Sequence, residues 1–199
     1  MGLRIAFIGT GRMALALIGC AYKKITKNII ASDKNTGNLK NIKNHFNIKT
    51  TSNNKEAVEN SDIAIICVKP QDIDIVLDEI KNVVGNRLVV SIAAGIKIRH
   101  IESKLKSARI IRVMPNINCL VGEMAAGFAA GKNATRGDIN IVSNILNSAG
   151  MAFLMKEELL DAVTALSGSG PAFFACFIDA FAQAGVKNGL PKETAFKLA

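Results

Sequence analysis

Gly9-Thr10-Gly11-Arg12-Met13-Ala14 has the spacing G-x-G-x-x-A, which between a strand and a helix holds the diphosphate of a dinucleotide. The first glycine permits a tight turn, the second lets the backbone approach a pyrophosphate, and the small third residue lets helix and strand pack closely. The free N–H groups and positive dipole end of the helix then favour an anion. Asp33 lies where an acidic side chain would bind the adenosine ribose hydroxyls, which favours NAD. Lys34 beside it and Ser32 before it could instead hold a 2′-phosphate, so NAD and NADP both remain open. Two further segments can line the same crevice. In Cys67-Val68-Lys69-Pro70, Lys69 would reach over a cofactor; in Ala93-Ala94-Gly95, missing side chains leave room for a flat nicotinamide.

The elements around these residues alternate. Leu3 to Ile8 reads as a buried strand, and Ala14, Leu17, Ile18 and Ala21 mark one face of the helix after it. Strands are expected at 28–32, 48–51, 63–68, 88–92 and 109–114, with helical faces between them, such as Ile73, Val76, Leu77 and Ile80. Segments 126–130 and 151–155, around a helix near 138–148, complete the sheet. Continuous apolar strands separated by amphipathic helices imply parallel pairing with both sheet faces covered. The expectation is a doubly wound, mostly parallel α/β sheet of the Rossmann type over residues 1–156, followed by an incomplete all-helical unit over 157–199. In that unit a helix from Glu157 to Leu166 meets the turn Ser167-Gly168-Ser169-Gly170, and Pro171 opens a second, strongly apolar helix.

Composition narrows the class. At 199 residues and 49% hydrophobic content the chain can bury a substantial core. Its four cysteines form no Cys-x-x-Cys pair, and read as buried free thiols in a reducing compartment. No metal site is visible around its two histidines. The net charge of +9 comes with a single tyrosine and no tryptophan, so a base-stacking nucleic-acid surface is not expected. No apolar run approaches the length needed to span a bilayer, and Leu3 to Ile8 runs into a glycine loop and not a cleavage site, so the protein is read as soluble and cytoplasmic, with no membrane partner.

The landmarks Met13-Ala14, Asn54-Lys55-Glu56, Val68-Lys69-Pro70, Ala93-Ala94-Gly95, Arg112-Val113-Met114-Pro115-Asn116, Asp161-Ala162-Val163-Thr164 and Leu166-Ser167-Gly168-Ser169-Gly170-Pro171 follow one another in that order. In this the chain resembles the pyrroline-5-carboxylate reductases. The resemblance implies hydride transfer from NADH or NADPH, the latter slightly favoured, to the imine carbon of 1-pyrroline-5-carboxylate, giving proline. It places Ile8, Gly9, Thr10, Gly11, Arg12, Met13, Asp33, Lys34, Asn54, Cys67, Val68, Lys69, Pro70, Ala93, Ala94 and Gly95 against the cofactor and Glu157 near the substrate. It points to no catalytic side chain, and no His or Lys is an obvious proton donor.

Three departures accompany the resemblance. Asn118 stands where the family usually has proline, and Met124 where it usually has glycine; a turn needing positive φ would be strained there. The family's later Ser-Pro-Gly-Gly-Thr-Thr loop, which grips the substrate, is not found. The alternative expectation is therefore a shortened member that binds dinucleotide or dimerises without turnover. A β-hydroxyacid dehydrogenase is disfavoured, because the Ser167 to Pro171 turn is not expected there. Phe173, Phe174, Phe177, Ile178 and Phe181 make a broad apolar face, and burying each large side chain is worth roughly 1.5–3 kcal/mol. That face, like the family's own assembly, predicts a homodimer or a higher homo-oligomer.

Overall fold

The structure, a computed structural model, describes residues 2–199. The chain alternates through β1 (Ile5–Ile8), α1 (Arg12–Lys24), β2 (Ile29–Ser32), α2 (Thr36–His45), β3 (Lys49–Thr51), α3 (Asn54–Glu59), β4 (Ile63–Ile66), α4 (Ile73–Ile80), β5 (Leu88–Ser91), α5 (Ile98–Lys104) and β6 (Arg109–Met114). It continues through β7 (Met124–Ala130), α6 (Arg136–Asn147) and β8 (Gly150–Leu154), then α7 (Leu160–Val163), α8 (Gly170–Lys187) and α9 (Lys192–Leu198). One eight-stranded sheet runs in the order β3-β2-β1-β4-β5-β6-β7-β8. The order reverses beside β1, so the glycine loop that follows β1 opens at the switch point where such sheets bind ligands.

Alternate residues of each strand serve opposite layers. Ile5, Phe7, Ile63, Ile65, Leu88 and Val90 pack with α1 and α6, while Ile8, Ile66, Val89 and Ile110 pack with α4 and α5. The strands therefore read as continuous apolar runs because both faces are covered.

β7 departs from the parallel pattern. It pairs antiparallel with β6, and β8 is parallel to β7. The link from Met114 to Met124 holds only a short 3-10 turn at Ile117–Val121, too little chain for a crossover helix, so the strand must reverse. Met124 is not strained. It is a buried residue opening β7, and the left-handed position two residues earlier is taken by Gly122, with φ +80°. Asn118 lies inside the same 3-10 turn, where its carbonyl accepts from the Glu123 N–H.

The glycine-serine turn is also different in form. The chain does not break at Ser167–Gly170 but passes through a π-helical turn at Thr164–Gly168, closed by Ser169 N–H donating to the Thr164 carbonyl at 2.9 Å. Pro171 has no N–H to give the turn before it, which accounts for the shifted ladder. The result is a continuous helical stretch of 31 residues from Glu157 to Lys187, whose most apolar 18-residue window has a mean hydropathy of 1.3. It is long and apolar enough to cross a bilayer, contrary to the expectation that no such run exists. Its first turns pack on the sheet through the fully buried Leu160, and α9 packs against α8: Ala182 and Ala195 are buried between them, while Phe173, Phe174 and Phe177 remain 70%, 71% and 67% exposed. The reading of all four cysteines as buried is corrected: Cys119 is buried, Cys20 and Cys67 are half-buried, and Cys176 is exposed on α8; all four are free.

Candidate functional site

The glycine loop has the geometry an anion needs. Gly9 adopts φ +86°, and a Cβ there would meet Val68 Cγ1 at 2.9 Å and the Cys67 carbonyl carbon at 3.0 Å, so only glycine fits. Gly11 is the opposite case: nothing lies within 4 Å of its Cβ position, and the backbone is open to an incoming group. Gly11 also caps α1 without a side-chain hydrogen bond, and α1 has no acidic residue in its first turn. The first N–H groups of α1 are thus free to meet a diphosphate, and the residues present fit a dinucleotide.

Asp33 braces this loop from the end of β2. Its carboxylate accepts four hydrogen bonds, from the Thr10 N–H and hydroxyl, both at 2.8 Å, from the Asn35 N–H at 2.8 Å and from the Asn38 amide at 3.1 Å. Partial burial alone would push this carboxyl up, but the hydrogen bonds from Asn35, Thr10 and Asn38 outweigh it and hold Asp33 below the ordinary carboxylate value. Because the folded form binds its proton less readily than the unfolded chain, Asp33 contributes stability above the ordinary pKa of 3.8 and loses it as pH falls through the lower folded value. Asp33→Asn is therefore expected to be more destabilised at pH 7 than at an acid pH well below 3.8, where the gap to the parent protein narrows. Urea unfolding at the two pH values checks this, and a gap independent of pH would refute it.

Beside Asp33, four side chains form a chain of contacts. The buried Ser32 hydroxyl donates to Asn54 Oδ1 at 2.6 Å, the Asn54 amide donates to Glu79 Oε2 at 2.6 Å, and Lys34 Nζ meets Glu79 Oε1 at 2.8 Å. Ile8, Gly9, Asp33, Lys34, Asn54 and Val68, with residues of the α4 segment, line a cavity of about 290 Å³. Val68 also lines a second cavity, of about 490 Å³, with Gly11, Arg12, Met13, Cys67, Lys69, Pro70, Ala93 and Ala94. Its charged lining residues, Arg12 and Lys69, are both cations, which suits an anionic guest. Burial pushes the Cys67 thiol up, so it stays protonated and is not a nucleophile. A larger cleft of about 580 Å³ lies at the amino ends of β1 to β3, touches none of the glycine-loop residues, and is at the wrong edge of the sheet for a ligand of this fold.

The structure thus brings together nearly every residue singled out in the sequence. Thr10 is buried and works through Asp33; Gly95 makes a left-handed turn, φ +76°, at the end of the Ala93–Ala94 segment. Glu157 is not among the lining residues of either cavity. Its carboxylate accepts from the Ile98 N–H at 2.7 Å, at the start of α5, and from Arg112 at 3.2 Å. Arg112 itself is only 2% exposed.

Sequence reasoning missed part of the cavity. Met114, Pro115 and Ile117 line it, because the end of β6 reaches the same edge as β1, β4 and β5. The Ser167 turn is fastened to that lip: Asn116 Nδ2 donates to Ser167 Oγ at 3.2 Å, and the Ser167 hydroxyl donates to the Ala125 carbonyl at 2.6 Å. A Cβ on Gly168 would lie 2.6 Å from Met114 Cε. The recurrence of strand-end motifs was the available signal, and Arg112–Asn116 carried it.

A sheet reversing direction beside an open glycine loop defines an α/β protein of the dinucleotide-binding class. Residues 4–95 match the family described as NADP oxidoreductase coenzyme F420-dependent, and residues 157–199 match the family described as pyrroline-5-carboxylate reductase dimerisation. Pyrroline-5-carboxylate reductase of Methanosarcina acetivorans is 41% identical over 201 residues, covering 98% of this chain and 74% of the relative; that of Arabidopsis thaliana is 36% identical, covering 98% and 72%. Among solved structures, the Plasmodium falciparum pyrroline carboxylate reductase with NADP bound superposes with a TM-score of 0.89 at 34% identity, covering 98% of this chain and 74% of that one. The pyrroline-5-carboxylate reductase from Coxiella burnetii gives 0.91 at 31%, covering 100% and 76%. The chain belongs to the pyrroline-5-carboxylate reductase family.

Proposed function

We infer that this chain is an oxidoreductase that reduces the C=N bond of 1-pyrroline-5-carboxylate to L-proline with NADPH or NADH. The observation that carries the reading is the pair of cavities meeting at Val68 on the carboxyl edge of the sheet, one beside Asp33 and Lys34, the other beneath the Ser167 turn. The smaller cavity takes the adenosine end, the α1 N-terminus the diphosphate, and the larger cavity the nicotinamide. When bound, the reduced nicotinamide supplies the hydride.

The chain's own residues orient and exclude. Gly9, Gly11 and the free N–H groups of α1 hold the diphosphate, and Asp33 keeps the Thr10 segment in the shape that exposes them. Ala93 and Ala94 leave a flat wall, while Met114, Pro115 and Ile117 close the cavity against water. Cys67 is held neutral by its burial, so the imine nitrogen draws its proton from solvent or a hydroxyl. Residues 1–156 serve as the dinucleotide-binding domain, and 157–199 contribute helical dimerisation and substrate-facing surface, with the α8 aromatic face buried against a second copy. The setting is the cytoplasm.

Oxidation of NADPH and NADH in the presence of pyrroline-5-carboxylate, followed by loss of the reduced-nicotinamide absorbance, tests the reaction. Turnover is expected with both cofactors and proline as product. In parallel, either dinucleotide at a hundredfold excess over its dissociation constant should stabilise the fold by about 2.7 kcal/mol. Binding of dinucleotide without turnover would overturn the reductase reading while leaving the cofactor site.

A further inference from the structure

Glu79 lies on α4 behind the adenosine-end cavity and is not itself part of the cavity lining, yet two of the residues that line it are tied to its carboxylate. Asn54 is the fixed tie. It is buried, and the Ser32 hydroxyl donates to its Oδ1, which orients the amide so that Nδ2 must point at Glu79 Oε2. Lys34 is the loose tie, with 65% of its side chain exposed and its ammonium on Glu79 Oε1. Glu79 therefore faces Lys34, the one cation among the residues lining this cavity, together with a fixed amide donor, and meets both with a negative charge of its own. Asp33 and Asp72 add carboxylates to the same wall.

We propose that Glu79 is a positioning residue that sets the choice between the two nicotinamide dinucleotides, by competing with a ribose 2′-phosphate for Lys34. The inference rests on the cofactor site assigned above. Two effects oppose each other here. Glu79 holds Lys34 at the cavity mouth, which would help a phosphate, and it neutralises Lys34, which hinders one. The first effect is small, because an exposed pair of this kind organises its long side chain weakly. The second acts on a phosphate carrying close to two charges, within a Debye length, and is the larger. Glu79 thus keeps the site from committing to the 2′-phosphorylated cofactor. Asp33, already spent on Thr10, Asn35 and Asn38, cannot take over that task by turning toward the ribose without releasing the glycine loop.

The test is the dissociation constants of NADPH, NADH, 2′,5′-ADP and 5′-AMP, by calorimetry on the intact chain. Glu79→Gln keeps the shape and an acceptor for Asn54 but removes the charge. It should tighten NADPH and 2′,5′-ADP by roughly fivefold to tenfold and leave NADH and 5′-AMP within about twofold. Lys34→Gln, an exposed substitution, should weaken 2′,5′-ADP about tenfold and leave 5′-AMP unchanged. Parallel changes in both members of a pair, or no change in either, would overturn the role of Glu79 while leaving the cofactor site intact. Absence of binding of any of the four to the parent chain would overturn the cofactor site and this inference with it.

Discussion

Gly150→Ala is expected to lower unfolding stability by roughly 3 kcal/mol or more, the largest effect of any single methyl group in this chain. Gly150 holds φ +152°, where a side chain is rarely tolerated, and its Cβ would fall inside the backbone of Met124, 2.7 Å from the carbonyl carbon. No side chain can rotate away to relieve this, because every close atom belongs to the main chain of β7. Relief requires the β7–β8 register, Met124 against Gly150, to open, together with the hydrogen bond from Met124 N–H to the Ala149 carbonyl. Since β8 leads into Glu157, the helical annex loses its anchorage too. Gly11→Ala is the matched control: its φ of −69° suits any residue and its Cβ would touch nothing. It should unfold within about 0.5 kcal/mol of the parent while weakening dinucleotide binding. Urea unfolding of the two variants, side by side, decides the matter; equal stabilities would refute the steric account.

Glu157→Ala is expected to cost about 2–4 kcal/mol. The side chain answers two buried needs at once, the Ile98 N–H at the start of α5 and the Arg112 guanidinium. Without it Arg112, 2% exposed, keeps only Asp161 at 3.5 Å, a carboxylate that is itself 72% exposed and well hydrated. A stranded buried cation is costly, whereas the reverse truncation leaves two carboxylates that water can reach. Arg112→Met is accordingly expected to cost less than Glu157→Ala, and the double variant Arg112→Met/Glu157→Gln to recover part of the loss. A full double-mutant cycle by chemical denaturation reads the coupling. Strict additivity would mean that the pair does not act as a unit.

Much of the architecture was legible because strands and helices here differ so plainly in period. Ile63-Ala64-Ile65-Ile66 can be little other than a doubly covered strand, and Ile73, Val76, Leu77 and Ile80 can share only a helical face. The glycine loop was legible for the same reason, since Gly9 and Gly11 come straight after one such strand. The reversal of β7 was not, because direction depends on the length and path of Pro115 to Glu123 and not on the composition of the strand. The π-turn at Thr164–Gly168 was hidden as well: glycines and a proline announce an irregularity without saying whether the chain turns or keeps winding. Glu157 shows the limit for sites. Its position was expected to matter to a ligand, but only the fold reveals that Arg112 and α5, far away in sequence, both bind its Oε1. Glu79 carried no signal at all, being one acidic residue among several on an amphipathic helix.

The annex is stitched to the sheet at two places, Glu157 upon Arg112 and Ser167 upon Asn116, and beyond the second stitch α8 projects with its aromatic side bare. Its 18 residues make a rod of roughly 27 Å whose fulcrum is the widened, underwound segment Thr164–Gly168. Whatever covers the far tip of that lever also steadies Met114 beneath its pivot, so a contact made at a distance becomes a means of holding one wall of the larger cavity still.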